Sequence, residues 1–233
     1  AIDNGSSVTV KQSVKVSGVQ AEKVNGYGDT KTTITPVKEP LNDANTHFIN
    51  NQEWTIYADG TVVCQSVLLP RGNPLELLRL GYEFQFPANL GNVAYYGRGP
   101  EENYADRKSG MPLGVYKTTA KDSFFPYGRP QDCGNHEDTR WVAVTDDKGQ
   151  GLLFGSLGTP FAFSAIPYTT TELILANHPV ELPKTTDRTV LVLSAATRGL
   201  GGASCGPGPM SRDIIKANKP YPMSFFILSL IHI

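Results

Sequence analysis

The sequence contains no apolar run approaching the roughly 18 residues that a membrane span needs, so no transmembrane helix and no membrane partner are expected. It has no Cys-x-x-Cys pair. Its three cysteines, Cys64, Cys133 and Cys205, are odd in number and widely spaced, and its four histidines (His47, His136, His178, His232) are scattered. These absences argue against a zinc site and make buried free thiols the expected state. There is also no block of like charge: 21 Lys and Arg stand against 22 Asp and Glu, for a net charge of −1. No basic stripe offers itself to nucleic acid and no charged tail is present. The start, Ala1-Ile2-Asp3-Asn4-Gly5, carries neither an initiator Met nor a signal peptide, and it reads as a processed end or a cut inside a longer chain. Periplasm and cytoplasm both stay open: the thiols favour a reducing compartment, the processed-looking start the other.

Turn formers are plentiful, with 23 glycines and 17 prolines in 233 residues. Many short elements follow. Val8, Val10, Val14 and Val16 alternate on one strand face. Residues 17–31 read as loop, 30–35 as strand, and 36–50 as an unpatterned connection. Asp59-Gly60 between residues 54–58 and 61–69 signals a hairpin in which both turn residues take positive φ. Pro70 to Pro74 form a turn cluster. Leu80, Tyr82, Phe84 and Phe86 alternate on a half-buried strand, and their rings are expected in the core. Arg140–Thr145 and Gly151–Gly155 form strands around an Asp146–Gly149 turn. Phe161 and Phe163 fall on another strand, as do Val190–Leu193 and Met223–Leu230. The one convincing helix is Thr169–His178, opened by a capping box of Thr169 with Glu172. No linker or composition shift divides the chain. The pattern predicts a single all-β domain over residues 1–233: a sandwich of two large antiparallel sheets with one short helix, a barrel being the alternative.

The richest stretch is Tyr95-Tyr96-Gly97-Arg98-Gly99-Pro100-Glu101-Glu102-Asn103-Tyr104-Ala105-Asp106-Arg107. It begins as strand and breaks at Gly97, Gly99 and Pro100, then presents its polar groups from loop backbone, where sites usually sit. Rings beside amides, carboxylates and arginines suit sugar recognition. The structural alternative is a bulged strand end with Arg98 and Arg107 paired to Glu101, Glu102 or Asp106.

Further segments join this one in order: Leu69-Pro70-Arg71-Gly72; Pro130-Gln131-x-Cys133-Gly134-Asn135-x-x-Asp138-x-Arg140-Trp141; Glu172-Leu173-x-x-Ala176-x-His178; and Gly199-Leu200-Gly201-Gly202-x-Ser204-Cys205-Gly206-Pro207. Together they resemble the C-terminal, small-chain domain of family-2 glycoside hydrolases of the β-galactosidase type, over most of residues 50–228. The resemblance implies a supersandwich similar to the galactose mutarotase fold. It also implies a preceding (β/α)₈ barrel that carries both catalytic glutamates and hydrolyses terminal β-galactosides. A barrel alone takes about 250 residues, so this chain is expected to be a non-catalytic piece that shapes the edge of the sugar site, inactive in isolation. No cofactor is expected in the chain itself; the parent enzyme is expected to draw on Mg and on Na or K. Phe125-Pro126 matches by position a Phe-Pro pair whose backbone helps hold a monovalent cation. Where the family places a stacking Trp on its Gly-rich loop, this chain has Cys205, with a one-residue gap.

The candidate substrate-binding residues are Tyr96, Arg98, Glu102, Asn103, Tyr104, Asn135, Asp138, Arg140, Trp141 and Cys205. Glu102, Asn103 and Asp106 are expected to tie down loop backbone, with Arg107 bonding carboxylate or carbonyl groups. Trp141 reads as core more readily than as a sugar platform. His136 beside Glu137 admits a mutarotase or epimerase reading, but a solvated loop histidine is the plainer expectation. His178 is expected to close the helix on its last carbonyls. A free-standing carbohydrate-binding module built on Tyr95, Tyr96, Tyr104 and Trp141 is the remaining alternative.

Overall fold

The computed structural model describes residues 2–3, 5–17, 19–25, 30–36, 47–72, 77–202 and 206–231. In chain order the first strands are β1 (Ile2–Asp3), β2 (Ser7–Ser17), β3 (Val19–Asn25), β4 (Thr30–Pro36), β5 (His47–Tyr57), β6 (Val62–Arg71), β7 (Arg79–Pro87), β8 (Asn92–Arg98) and β9 (Leu113–Thr119). They are followed by β10 (His136–Thr139), β11 (Trp141–Thr145), β12 (Gly151–Ser156), β13 (Phe161–Ile166), helix α1 (Thr170–Leu175), β14 (Arg188–Thr197) and β15 (Tyr221–Ser229). Nine strands form one sheet in the order β1-β2-β5-β6-β15-β12-β11-β8-β9. Four form a second, β10-β13-β14-β7, and β3 pairs only with β4. Every recorded pairing is antiparallel. The all-β sandwich expected from the sequence is therefore what forms, and the barrel alternative is not.

Alternation decides which side chains meet. On β8 and β11, Val93, Tyr95, Val142 and Val144 point inward and are at most 2% exposed. They meet Phe161 and Phe163 of β13 and Leu191 and Leu193 of β14. Tyr82, Phe84 and Phe86 of β7 pack against the same core as expected. The rings touch edge-on or tilted, with Phe84 and Phe154 centroids 5.0 Å apart and Trp54 and Phe225 5.8 Å apart. Their polar tips find partners: Asn50 Nδ2 donates to Tyr82 Oη at 3.0 Å, and Trp54 Nε1 donates to Gln52 Oε1 at 2.6 Å. Burial of this kind contributes about 25 cal/mol per Å² of apolar surface. The nine-stranded sheet is the wider, and its β2 valines are less well covered: Val10 stays 37% and Val16 50% exposed.

Several local expectations need correction. Residues 19–25, expected as loop, form β3, and β5 begins at His47 rather than at residue 54. Neither β3 nor the first half of β5 alternates cleanly between apolar and polar residues, so periodicity does not mark them. At the Asp59-Gly60 turn only Gly60 takes positive φ (85°). Tyr57 donates to Thr61 O at 2.8 Å while Gly60 donates to Tyr57 O at 3.0 Å, the pattern of a type I turn with a glycine bulge. Asp59 Oδ1 accepts from the Thr61 amide at 2.9 Å, which satisfies the turn without a left-handed aspartate. The capping box is present, with Glu172 N donating to Thr169 Oγ1 at 3.2 Å and Thr169 N donating to Glu172 Oε2 at 2.7 Å. The helix ends at Leu175, however, and His178 pairs with Glu181 at 2.9 Å at the head of a 3₁₀ turn instead of closing α1. A second apolar cluster, Cys133, Ile166, Leu173, Ala176 and Leu182 with Phe124, Tyr127 and Tyr168 against it, pins the long loop before β10 to the end of β13.

Candidate functional site

The motif residues gather where the chain crosses between the two sheets. β10 belongs to the small sheet and β11 to the large one, with only Arg140 between them. The β10 register slips between His136 and Thr139, and Asp138 there takes φ 52°. Aspartate tolerates that left-handed conformation better than most residues, and a bulge re-aims a side chain. Asp138 consequently meets Arg98 Nε at 2.5 Å and Lys108 Nζ at 3.0 Å. Burial opposes its ionisation, but the Arg98 and Lys108 hydrogen bonds outweigh it and hold the carboxyl below its usual range.

Asn103 is the hub. It is fully buried. Its Nδ2 donates to the carbonyls of Arg98 and Glu101, each at 3.0 Å, and its Oδ1 accepts from Glu137 N at 2.8 Å. Its backbone N–H donates to Asn135 O and its carbonyl accepts from Asn135 Nδ2, each at 2.7 Å. Two sequence-distant turns are thus joined with every polar atom of one amide side chain in use. Buried polar groups need such complete pairing.

The carboxylates around it are equally committed. Glu102 Oε2 accepts from Gly134 N at 2.8 Å and from Tyr104 Oη at 3.3 Å, while Oε1 accepts from Tyr127 Oη. Burial first, then that bond to Glu102, pushes the Tyr127 phenol up to about 12. Burial also raises Tyr104 well above its ordinary value. Glu137 Oε1 accepts from Thr197 Oγ1 at 2.5 Å and from Asn135 Nδ2 at 3.0 Å. Asp132 pairs with Arg79 at 2.8 Å, and burial still keeps its carboxyl raised. Asp106 reaches the Gly-rich loop: its two oxygens accept from Leu200 N at 2.9 Å and Gly201 N at 2.7 Å. Burial works against the Asp106 anion, but these two amides prevail and lower its pKa. A Cβ on Gly199 would lie 2.7 Å from the Asp106 carboxyl, so only glycine allows this approach. A Cβ on Gly99 would fall 2.5 Å from Tyr95 Oη and 2.8 Å from the Tyr116 ring.

The expected roles of Glu102, Asn103 and Asp106 as backbone ties match this geometry. Three other expectations do not. Arg98 pairs with Asp138 and with the Lys108 and Met111 carbonyls, not with Glu101, Glu102 or Asp106. Arg107 is exposed and its guanidinium makes no hydrogen bond or ion pair among the described residues; the neighbouring Lys108 carries that load. His136 is not a solvated loop residue: it is 4% exposed on β10, its Nδ1 lies 3.1 Å from Tyr95 Oη and 3.0 Å from Arg98 O, and its ring stacks on Phe163. Burial depresses its pKa to about 4, so the ring is neutral at physiological pH.

Tyr96 and Trp141 are paired across β8 and β11 on the outer face of the nine-stranded sheet, opposite the core residues Tyr95 and Val142. Trp141 is therefore half-buried on that face rather than in the sandwich core. Arg140 covers the Tyr96 ring at 5.6 Å and donates to the Asp138 carbonyl. Phe125 is 57% exposed, and its carbonyl already accepts from Tyr127 N at 2.9 Å. One such turn does not by itself fit the several-oxygen shell of a cation. Among the described residues no group of three or more His, Cys, Asp or Glu side chains could hold a metal ion. Cys205 lies outside the described residues. Cys64 and Cys133 are buried free thiols, each pushed up to about 11 by desolvation. No sequence motif singles out Lys108, Tyr127, Thr197 or the Arg79–Asp132 pair. Their roles depend on contacts as distant as 60 residues, between Thr197 and Glu137.

Two antiparallel sheets packed around a shared apolar core place the chain in the class of all-β sandwich domains. Residues 3–227 match the family described as Beta galactosidase small chain, and the chain belongs to that family. It is 38% identical over 178 residues to a beta-galactosidase of Priestia megaterium, covering 76% of this chain and 17% of that protein. It is 42% identical over 147 residues to Beta-galactosidase BgaC of Bifidobacterium adolescentis, covering 62% and 14%. A protein of Latilactobacillus sakei named Beta-galactosidase small subunit is 38% identical over 159 residues, with 64% of this chain and 49% of that one covered. The chain thus spans about a sixth of the long relatives and half of the small subunit.

Proposed function

We propose that this chain is the non-catalytic C-terminal domain of a family-2 glycoside hydrolase of the β-galactosidase type. It works beside a (β/α)₈ barrel, from the same chain or from a larger subunit, that cleaves terminal β-galactosides. The observation that carries this reading is the family match over residues 3–227, beside the likeness to long relatives and to a small subunit alike. Retaining glycosidases need two free carboxyl groups about 5–5.5 Å apart. Here Glu102, Glu137, Asp138 and Asp106 are each bound to two or more donors, which supports a bracing role. The braced end, residues 98–107 with 197–202, is the part assigned to the edge of the sugar site.

The test is hydrolysis of a chromogenic β-galactoside by the chain alone and by the protein joined to its barrel or large subunit. Activity is expected only in the second; turnover by the isolated chain would overturn the proposal. A sugar-binding module is a second reading, supported by a groove of about 590 Å³ on the large sheet lined by Asn51, Gln52, Gln65 and Ser224. Galactoside binding by the chain, lost in Gln52→Ala/Gln65→Ala, would favour it. The mutarotase reading is left without support, because His136 and Glu137 are 4% and 8% exposed.

A further inference from the structure

A separate pocket lies at the opposite end of the sandwich. It is formed by the β7–β8 turn, the end of β9, the β11–β12 turn and the segment entering β14, and its volume is about 470 Å³. That size falls within the roughly 300–1,000 Å³ of small-molecule sites. β8 runs from this pocket, at Asn92, to the motif loop, at Arg98. At about 3.3 Å per residue the two sites stand about 20 Å apart.

The lining is unbalanced in charge. It holds Lys121, Lys184 and Arg188 against the single carboxylate of Asp147, which already accepts from Asn92 Nδ2 at 3.0 Å. Arg188 is occupied by Asp187 at 2.8 Å. The ammonium groups of Lys121 and Lys184 have no recorded hydrogen bond or ion pair among the described residues. Thr189 adds an independent observation. It lines the pocket and is only 1% exposed, so its hydroxyl offers a fixed polar group there. Tyr168 forms one wall, held edge-on to Phe124 at 4.7 Å and donating to Pro183 O at 3.4 Å.

Two unpaired ammonium groups suit a dianion, hydroxyl and amide groups suit sugar hydroxyls, and a fixed ring suits a C–H face. We propose that this pocket binds a phosphorylated monosaccharide. Its phosphate sits between Lys121 and Lys184, its hydroxyls meet Thr189, Thr186 and Asn89, and its ring lies against Tyr168.

The test is calorimetric titration of the protein with galactose 6-phosphate, galactose and inorganic phosphate, repeated with Lys121→Ala/Lys184→Ala and with Thr189→Val. Both lysines are exposed, so the double variant keeps the fold. Galactose 6-phosphate should bind, weaken with added salt, and lose at least about tenfold in affinity in the double variant. Thr189→Val should weaken it less. No binding of galactose 6-phosphate, or binding unchanged in the double variant, would overturn the site. Inorganic phosphate binding as tightly as the sugar phosphate would overturn the sugar part of the assignment, as would galactose binding equally well.

Discussion

Replacing Asn103 by alanine isolates the contribution of the hub. The change removes three hydrogen bonds: two donated by Nδ2, to Arg98 O and Glu101 O, and one accepted by Oδ1 from Glu137 N. Their fates differ. Arg98 O keeps His136 Nδ1 at 3.0 Å. Glu101 is exposed, so its carbonyl can turn to water. Glu137 N sits in a residue only 8% exposed and has no such escape. An unsatisfied buried group costs about 1–3 kcal/mol, and the small cavity left by the amide adds to it. The expected loss is about 2–4 kcal/mol in total. Urea unfolding followed by the fluorescence of Trp54 and Trp141 reads it directly. With a slope of about 2–3 kcal/mol per M, the midpoint should fall by about 1 M or more. Asn103→Asp keeps the shape but turns an oxygen toward the two carbonyls, and should be at least as damaging at neutral pH. A midpoint shift below about 0.3 M for Asn103→Ala would refute the hub argument.

Other outcomes follow from the same contacts. The folded His136 pKa of about 4 lies below its ordinary 6.5, so folding favours the neutral ring. That stabilisation is complete above pH 6.5 and is lost as pH falls toward 4, by about 3 kcal/mol; His136→Gln should flatten the stability profile in that window, and an ordinary imidazole titration by NMR would contradict it. Asp106 has a lowered pKa, so its grip on Leu200 and Gly201 holds above its ordinary 3.8 and fades as pH drops through the lower folded value. Asp106→Asn should speed hydrogen exchange at those two amides at pH 7, whereas unchanged rates would disprove the tie. Gly199→Ala should do the same by pushing the carboxylate away, with little effect on the remote core. In a Cys205→Ser background Cys64 and Cys133, with thiols near 11, should react with a disulfide reagent only after unfolding, and fast labelling of the folded protein would contradict their burial.

What the sequence determined by itself is local. Alternating Leu80, Tyr82, Phe84 and Phe86 gave a strand with one apolar face, Asp59-Gly60 gave a turn, and Thr169 with Glu172 gave a helix start, because pleat, turn and cap are each set within a few residues. Strands such as Val19–Asn25 and the first half of β5 carry no such periodicity, so nothing local distinguishes them from connections. The ordered motifs from Leu69 to Pro207 also sufficed to mark the family. What only the tertiary structure decided is which groups meet. Arg98 bonds Asp138 from 40 residues away, and His136 is dry because β10 crosses beneath the core rings Tyr95 and Phe163. Trp141 turns outward because its neighbour Val142 turns in. A charged group's partner and a side chain's solvent exposure are fixed by strand order and register, and those depend on the whole sandwich closing around one core.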